Sequence, residues 1–274
     1  MFVFSPINYF LYKFRYPKKL QLDRVTLLGI DCIDPKRLLE CIKLCEEFID
    51  FGDVKLLSSI PIQTPYWKEI PVIESIEKYS EFVLNKLTNY VDTDYVLLIQ
   101  YDGFVLNPMA WSDDFLKYDY IGAPWWFHEG NNIGNGGFNL RSKKFLNLTS
   151  QLDQIKITEP EDVFVCRTHF HHLVNHGIKF APYHIANKFS LEGRMETFDK
   201  WEYSFGFHGF NVTDLRRWKY YNFVKPTKLF YWFNVMKGAS NLIHEGKHKL
   251  WDISFRSRTK RVWDKVKKKV RKRK

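Results

Sequence analysis

Tyr95-Val-Leu-Leu-Ile99 is an unbroken apolar run, and Gln100-Tyr101-Asp102-Gly103-Phe-Val-Leu106 follows it directly. Apolar residues without alternation suit a strand covered on both faces, the condition of a central strand in a parallel sheet. Polar residues at the carboxyl end of such a strand lie where open α/β sheets bind ligands. Asp102 is therefore a candidate site residue by position alone, although an aspartate after a strand is by default a turn former.

The neighbouring segments support the same architecture. Upstream, Val25–Ile30 is a short β-rich run ending at Asp31. Leu38, Leu39, Ile42, Cys45 and Phe48 then recur at helical spacing from Pro35, with Asp34 as N-cap, and Asp53–Leu57 reads as a second strand. This β-α-β opening predicts an α/β fold with a mostly parallel central sheet. Glu74–Leu87 reads as an amphipathic helix with Ile76, Tyr79, Val83 and Leu87 on one side. Downstream, Ser142–Leu152 and a segment from Glu161 towards His176 read as helices, and Phe180–Ala186 and Phe205–Gly209 as strands or strand ends.

With 274 residues, the chain holds one large domain or two small ones on a prior of ~100–200 residues per domain. Its 45% hydrophobic and 27% charged residues exclude a disordered or collagen-like chain. The four cysteines form no C-x-x-C pair and read as reduced thiols in a cytosolic setting. The net charge of +11 is local: residues 256–274 carry 12 Lys and Arg and one acid. Subtracted from chain totals of 42 bases and 31 acids, they leave the body balanced at 30 against 30. Phosphate binding needs bases spread over a docking surface, so nucleic acid is not the expected partner of the body. The organisation expected is a body over 1–210, an aromatic extension over 211–255 and a basic amphipathic tail over 256–274.

Several residues in the body have types that suit chemistry. Asp102 suits a hard divalent cation beside a diphosphate, and His208, in Phe-Gly-Phe-His-Gly, is a candidate second ligand. Imidazole favours Mn²⁺ over Mg²⁺. Taken alone, His208 also reads as a hydrogen-bonded core histidine. Glu161-Asp162 opens a helix, where carboxylates are favoured in ionised form. That suits a general base as well as an ordinary first-turn pair. Gly134-Asn135-Gly136-Gly137 offers backbone N–H groups and close approach to a ligand, without the spacing of a P-loop or dinucleotide fingerprint. Trp125 and Trp126 beside it suit stacking on a sugar or a place in the core.

Six ordered segments carry a resemblance: YVLLIQYDGFVL (95–106), DYIGAPW (119–125), GNGGFNLRS (134–142), EDV (161–163), FAPYHIANKFS (180–190) and FGFHG (205–209). Together they resemble a bacterial and viral family of uncharacterised GT-A-type glycosyltransferases with the signature Q-T-D-G, G-A-P-W, G-N-G-G-F-S-L-R and E-D-V. The match covers roughly residues 20–210. The order is also similar to that of inverting GT-A enzymes. That resemblance implies a GT-A-like, Rossmann-like domain transferring sugar from a UDP-sugar to a hydroxyl of a surface glycan or lipid-linked acceptor. It implies Asp102 as the second Asp of D-x-D, with Gln100 in place of the first, Asp162 as base and His208 as the late metal ligand, with manganese as cofactor. Donor contacts are then expected from Asp31, Gln100, Tyr101 and Gly103, and acceptor contacts from Trp125, Trp126, Asn135, Gly136, Gly137 and Glu161.

In the tail, Val262, Trp263, Val266 and Val270 fall at spacings of three and four among the bases, which as a helix gives an apolar stripe and a broad basic face. This predicts a cytoplasmic protein held peripherally on an anionic membrane. Two other classes compete with the transferase: a catalytically silent sugar- or nucleotide-binding module, for which Gln100 leaves room, and a nucleic-acid binder acting through the tail.

Overall fold

The computed structural model describes residues 19–105, 107–125, 133–152, 157–192 and 204–209. All lie in the first of the chain's two units, 1–219. The boundaries expected at 210 and 255, the aromatic extension and the tail lie outside the described residues.

The opening is the expected β-α-β unit. Strand β1 (Leu20–Ile30) leads into helix α1 (Pro35–Glu46), whose first turn is closed by the Asp34 carboxylate accepting from the Lys36 N–H. Strand β2 (Ile49–Ser58) returns parallel to β1 and begins earlier than the apolar run at 53 suggests. Strand β3 (Trp67–Glu69) adds in parallel outside it. Helix α2 (Ile76–Asn85) is capped by Ser75; it buries Val83 and Leu84, while Ile76, expected on the apolar side, is exposed. Strand β4 (Tyr95–Ile99) then pairs with the opposite edge of β1. Val96, Leu97, Leu98 and Ile99 are all fully buried, as a strand covered on both faces requires.

Strand β5 (Gly103–Val105) leaves that sheet, while β6 (Tyr120–Gly122) and β7 (Phe138–Ser142) complete it in the order β3-β2-β1-β4-β7-β6. β7 runs antiparallel to both neighbours, so the sheet is mixed but mostly parallel, as the β-α-β opening predicts. Helix α3 (Lys143–Thr149) follows β7, and α4 (Glu161–Val163) passes through a π-helical turn at Phe164–Thr168 into α5 (Phe170–Asn175). The expectation of a strand over 180–186 is corrected. Only Phe180 makes a bridge, to Tyr120, and Tyr183–Phe189 forms helix α6 after Pro182. Strands β8 (Ser190–Glu192) and β9 (Gly206–His208) join β5 in a small sheet of order β5-β9-β8.

This topology locates a crevice. The chain builds outward from β1 through β2 to β3, then crosses to β4 on the other side, so the order reverses between β1 and β4. Ligands of open α/β sheets bind outside the carboxyl ends of the strands at such a point. Those ends are Ile30, followed by Asp31, and Ile99, followed by Gln100, Tyr101 and Asp102. Because β7 is antiparallel with Phe138 opposite Ile99, the loop 134–137 preceding it arrives at the same end.

Candidate functional site

Three elements meet at these strand ends. Pairing of β5 with β9 sets Gly103 opposite His208, and the Gly209 N–H donates to the Asp102 carbonyl at 2.8 Å. As a result His208 Nε2 lies 3.5 Å from Asp102 Oδ1, both side chains largely buried. A ring cluster of Phe138, Phe189 and Phe205, with centroids 5.3–5.9 Å apart, packs β9 against the start of β7 and fixes that approach. The strand-end aspartate and the late histidine, far apart in sequence, are thus brought together as expected.

The loop 134–137 packs tightly against this pair. A Cβ on Gly137 would lie 2.0 Å from His208 Nε2, and one on Gly136 would lie 2.0 Å from Glu161 Oε1, so only glycine permits either approach. Asn135 takes a left-handed φ of 45°, a region that asparagine tolerates. Its Oδ1 accepts from the N–H groups of Gly137 (3.0 Å) and Phe138 (3.4 Å), and its Nδ2 lies 3.1 Å from His208 Nδ1. On the other side of the loop, the Gly136 N–H donates to Asp162 Oδ2 at 2.9 Å. The second carboxylate oxygen of Asp162 accepts from Val163 N–H at 2.8 Å. One loop therefore spans the distance between His208 and Asp162.

Glu161 and Asp162 are adjacent but differently placed. Asp162 is half-buried, whereas Glu161 is 3% exposed and forms an ion pair with the fully buried Arg141, Nη2 to Oε2 at 2.6 Å. Burial lifts the Glu161 carboxyl to about 7, with Arg141 opposing. Arg141 Nε donates to Asn139 Oδ1 at 2.6 Å, and Asn139 Nδ2 donates to the Gly136 carbonyl at 2.6 Å. The Arg141 guanidinium also lies over the Tyr120 ring at 5.3 Å. These bonds close a circuit from Asp162 through Gly136, Asn139 and Arg141 back to Glu161. The sequence marks Asn139 and Arg141 only as members of the segment 134–142. Their alternation with the apolar Phe138 and Leu140 in a strand was the available signal.

Three expected contacts need correction. Glu161 cannot touch an acceptor, because its carboxylate is enclosed with Arg141. Trp125, expected on a sugar, is 5% exposed, and Arg167 stands 4.4 Å above its ring. Asp31 is 6% exposed, with Oδ1 accepting from the N–H groups of Ile33 and Asp34 and Oδ2 from Arg37 Nε at 2.6 Å. It holds Arg37 in place, and the Arg37 guanidinium lies 3.7 Å over the Tyr101 ring at the crevice. Gln100 donates through Nε2 to the Tyr79 hydroxyl at 3.3 Å. Trp126 lies outside the described residues. His172 and His176 stack with centroids 4.3 Å apart on an exposed face, as their helical spacing suggests.

Residues 62–208 match the model of a family described as a protein of unknown function, DUF5672. The chain belongs to that family. No curated protein matches this DUF5672 member in sequence. Solved structures to which it is similar include a glycosyltransferase involved in the glycosylation of the major capsid of PBCV-1. There the identity is 14%, with 73% of this chain and 99% of that one covered and a TM-score of 0.46. The apo glycosyltransferase GlyE of Streptococcus pneumoniae TIGR4 shares 14% identity over 74% of this chain and 60% of that one, with a TM-score of 0.40. The galactosyltransferase LgtC, solved with donor and acceptor sugar analogues, shares 14% over 67% and 86%, with a TM-score of 0.41. None of the described helices of this DUF5672 protein is long and apolar enough to cross a membrane.

Proposed function

We propose that this protein is an inverting glycosyltransferase that takes a UDP-sugar donor and an acceptor hydroxyl. The observation that carries the reading is the 134–137 loop, which sets Asp162 beside the crevice where Asp102, His208, Tyr101 and Arg37 converge. A donor diphosphate placed at the strand ends would meet the Arg37 guanidinium, and a base or ribose would meet the half-buried Tyr101 ring. Asp162, held by two backbone N–H groups, keeps a lone pair on each oxygen. It would accept the proton of an acceptor hydroxyl as that oxygen attacks the anomeric carbon opposite the diphosphate. The transition state is oxocarbenium-like, by analogy with glycoside hydrolysis.

The manganese site implied by the resemblance rests on Asp102 and His208, which supply one carboxylate and one imidazole. Among the described residues no group of three or more His, Cys, Asp or Glu side chains is arranged to hold a metal ion. Asn135 also turns an amide N–H towards the far nitrogen of His208, where a ligating histidine needs an acceptor. The residues do not fit a metal pair, and the proposed chemistry routes no step through a cation.

The reading is tested by UDP titration and by release of UDP from UDP-sugars. Binding and turnover support it; the absence of both across a panel of nucleotide sugars rejects it. Gly137→Ala places a Cβ on the His208 ring, and overpacking of this kind costs about 1–3 kcal/mol. UDP affinity in that variant should fall ~10-fold or more, as isothermal titration would read it.

The acceptor is proposed to be a surface glycan or a lipid-linked intermediate, with the basic tail holding the enzyme at the membrane. Each base near an anionic surface contributes about 1 kcal/mol, so the 12 in the tail suffice collectively. Deleting 256–274 should move the protein from membrane to soluble fractions, and an unchanged distribution would reject the anchor.

A further inference from the structure

Hydrogens at the Asp102–His208 pair can be placed by following the donors around Asn135. The Asn135 Oδ1 already accepts from Gly137 N–H and Phe138 N–H. Rotating the amide by half a turn would set its NH₂ against those two N–H groups, donor facing donor. The backbone therefore assigns Nδ2 to the side facing His208. An NH₂ group has no accepting lone pair, so His208 Nδ1, 3.1 Å away, must be the acceptor. In a neutral imidazole with Nδ1 accepting, the hydrogen sits on Nε2. That nitrogen lies 3.5 Å from Asp102 Oδ1.

We propose that His208 serves this site as an Nε2–H donor and not as a metal ligand, and that Asn135 is the positioning residue that decides which. Ligation through Nε2 requires that lone pair to be bare and the hydrogen to sit on Nδ1. A metal-bound histidine gives that hydrogen to a carboxylate or carbonyl, and Asn135 presents neither. Gln100 withholds a second carboxylate from the same strand end. Placed on the UDP-sugar reading, which this inference deepens, the Nε2–H and the Arg37 guanidinium offer donors to diphosphate oxygens.

The test uses the full chain. Long-range ¹⁵N–¹H spectra of the imidazoles, with His208 assigned by its loss in His208→Gln, should show hydrogen on Nε2 and a bare Nδ1. Mn²⁺ titrated alone, followed by loss of the free-ion EPR signal, should find no site that His208→Gln removes. Asn135→Asp keeps a side chain that tolerates the left-handed φ and offers Nδ1–H a carboxylate. Its Mn²⁺ titration should show a site that His208→Gln removes, tighter by ~10–100-fold than anything the wild type binds, the worth of such an outer partner. Hydrogen on Nδ1 in wild type, Mn²⁺ uptake that needs His208, or UDP binding that EDTA abolishes would each overturn the proposal. UDP failing to bind in every condition strikes the transferase reading alone, since the spectra and the Mn²⁺ titration contain no nucleotide.

Discussion

Asp162→Asn should lower sugar transfer by ~10²–10⁴-fold, the range that a positioned general base contributes, while UDP still binds. Of the two acids that open α4, only Asp162 can reach a substrate. It is half-buried at the crevice, and Glu161 is closed in with Arg141. The Asp162 carboxylate is aimed from two sides, by Gly136 N–H and Val163 N–H, which leaves one oxygen lone pair at each atom for the incoming hydroxyl. Asparagine keeps the shape and one of those hydrogen bonds but has no basic oxygen. On the proposed reading the donor binds through the strand ends and Arg37, which the substitution does not touch, so KM for the donor should hold while kcat collapses. Steady-state transfer and UDP calorimetry on the same preparation make the comparison. Near-normal transfer by the variant would remove Asp162 from the mechanism and leave the base to be sought elsewhere on the crevice.

The features of the site that were legible in the sequence are those carried by local pattern. The run at 95–99 announces a strand covered on both faces, and the reversal between β1 and β4 then makes Asp102 a crevice residue. The helix from Pro35 follows from periodicity and its Asp34 cap, and the one read over 74–87 follows from periodicity alone, its bounds of 76–85 being set by the Ser75 cap that the structure shows. The division of labour between Glu161 and Asp162 was not legible, because it depends on β7 running antiparallel beside β4. Only that arrangement brings Arg141 to Glu161 across 20 residues of sequence. Tyr183–Phe189 shows a related limit. Its aromatic and β-branched residues resemble a strand end, but tertiary packing of Ala186 and Phe189 makes it a helix. The role of Asn135 is more remote still from sequence. It depends on two backbone N–H groups and one imidazole meeting at a single amide.

Arg141→Met should be strongly destabilising, and its cost should grow with pH. Arg141 is fully buried, and removing one member of a buried ion pair typically costs about 3–5 kcal/mol because the partner is left uncompensated. Here the partner has an alternative, which is to take up a proton. Burial already raises Glu161 to about 7, above its unfolded value, so its contribution to stability is present below about 4.5 and is lost as pH rises through 7. Without Arg141 the carboxyl is raised further. At pH 5 it is then neutral in both proteins, and the difference reduces to lost packing and hydrogen bonds to Asn139 and Glu161. At pH 8.5 the wild type ionises against Arg141, while the variant must either bury a lone carboxylate or hold its proton against the solvent. Urea unfolding at the two pH values should show the gap widening towards the full buried-pair cost. A gap independent of pH would mean that Glu161 keeps one protonation state throughout. Arg141→Met combined with Glu161→Leu removes both charges and should recover much of the loss at pH 8.5. The same double variant breaks the circuit that aims Gly136 at Asp162, so its transfer rate should stay low even where its stability returns.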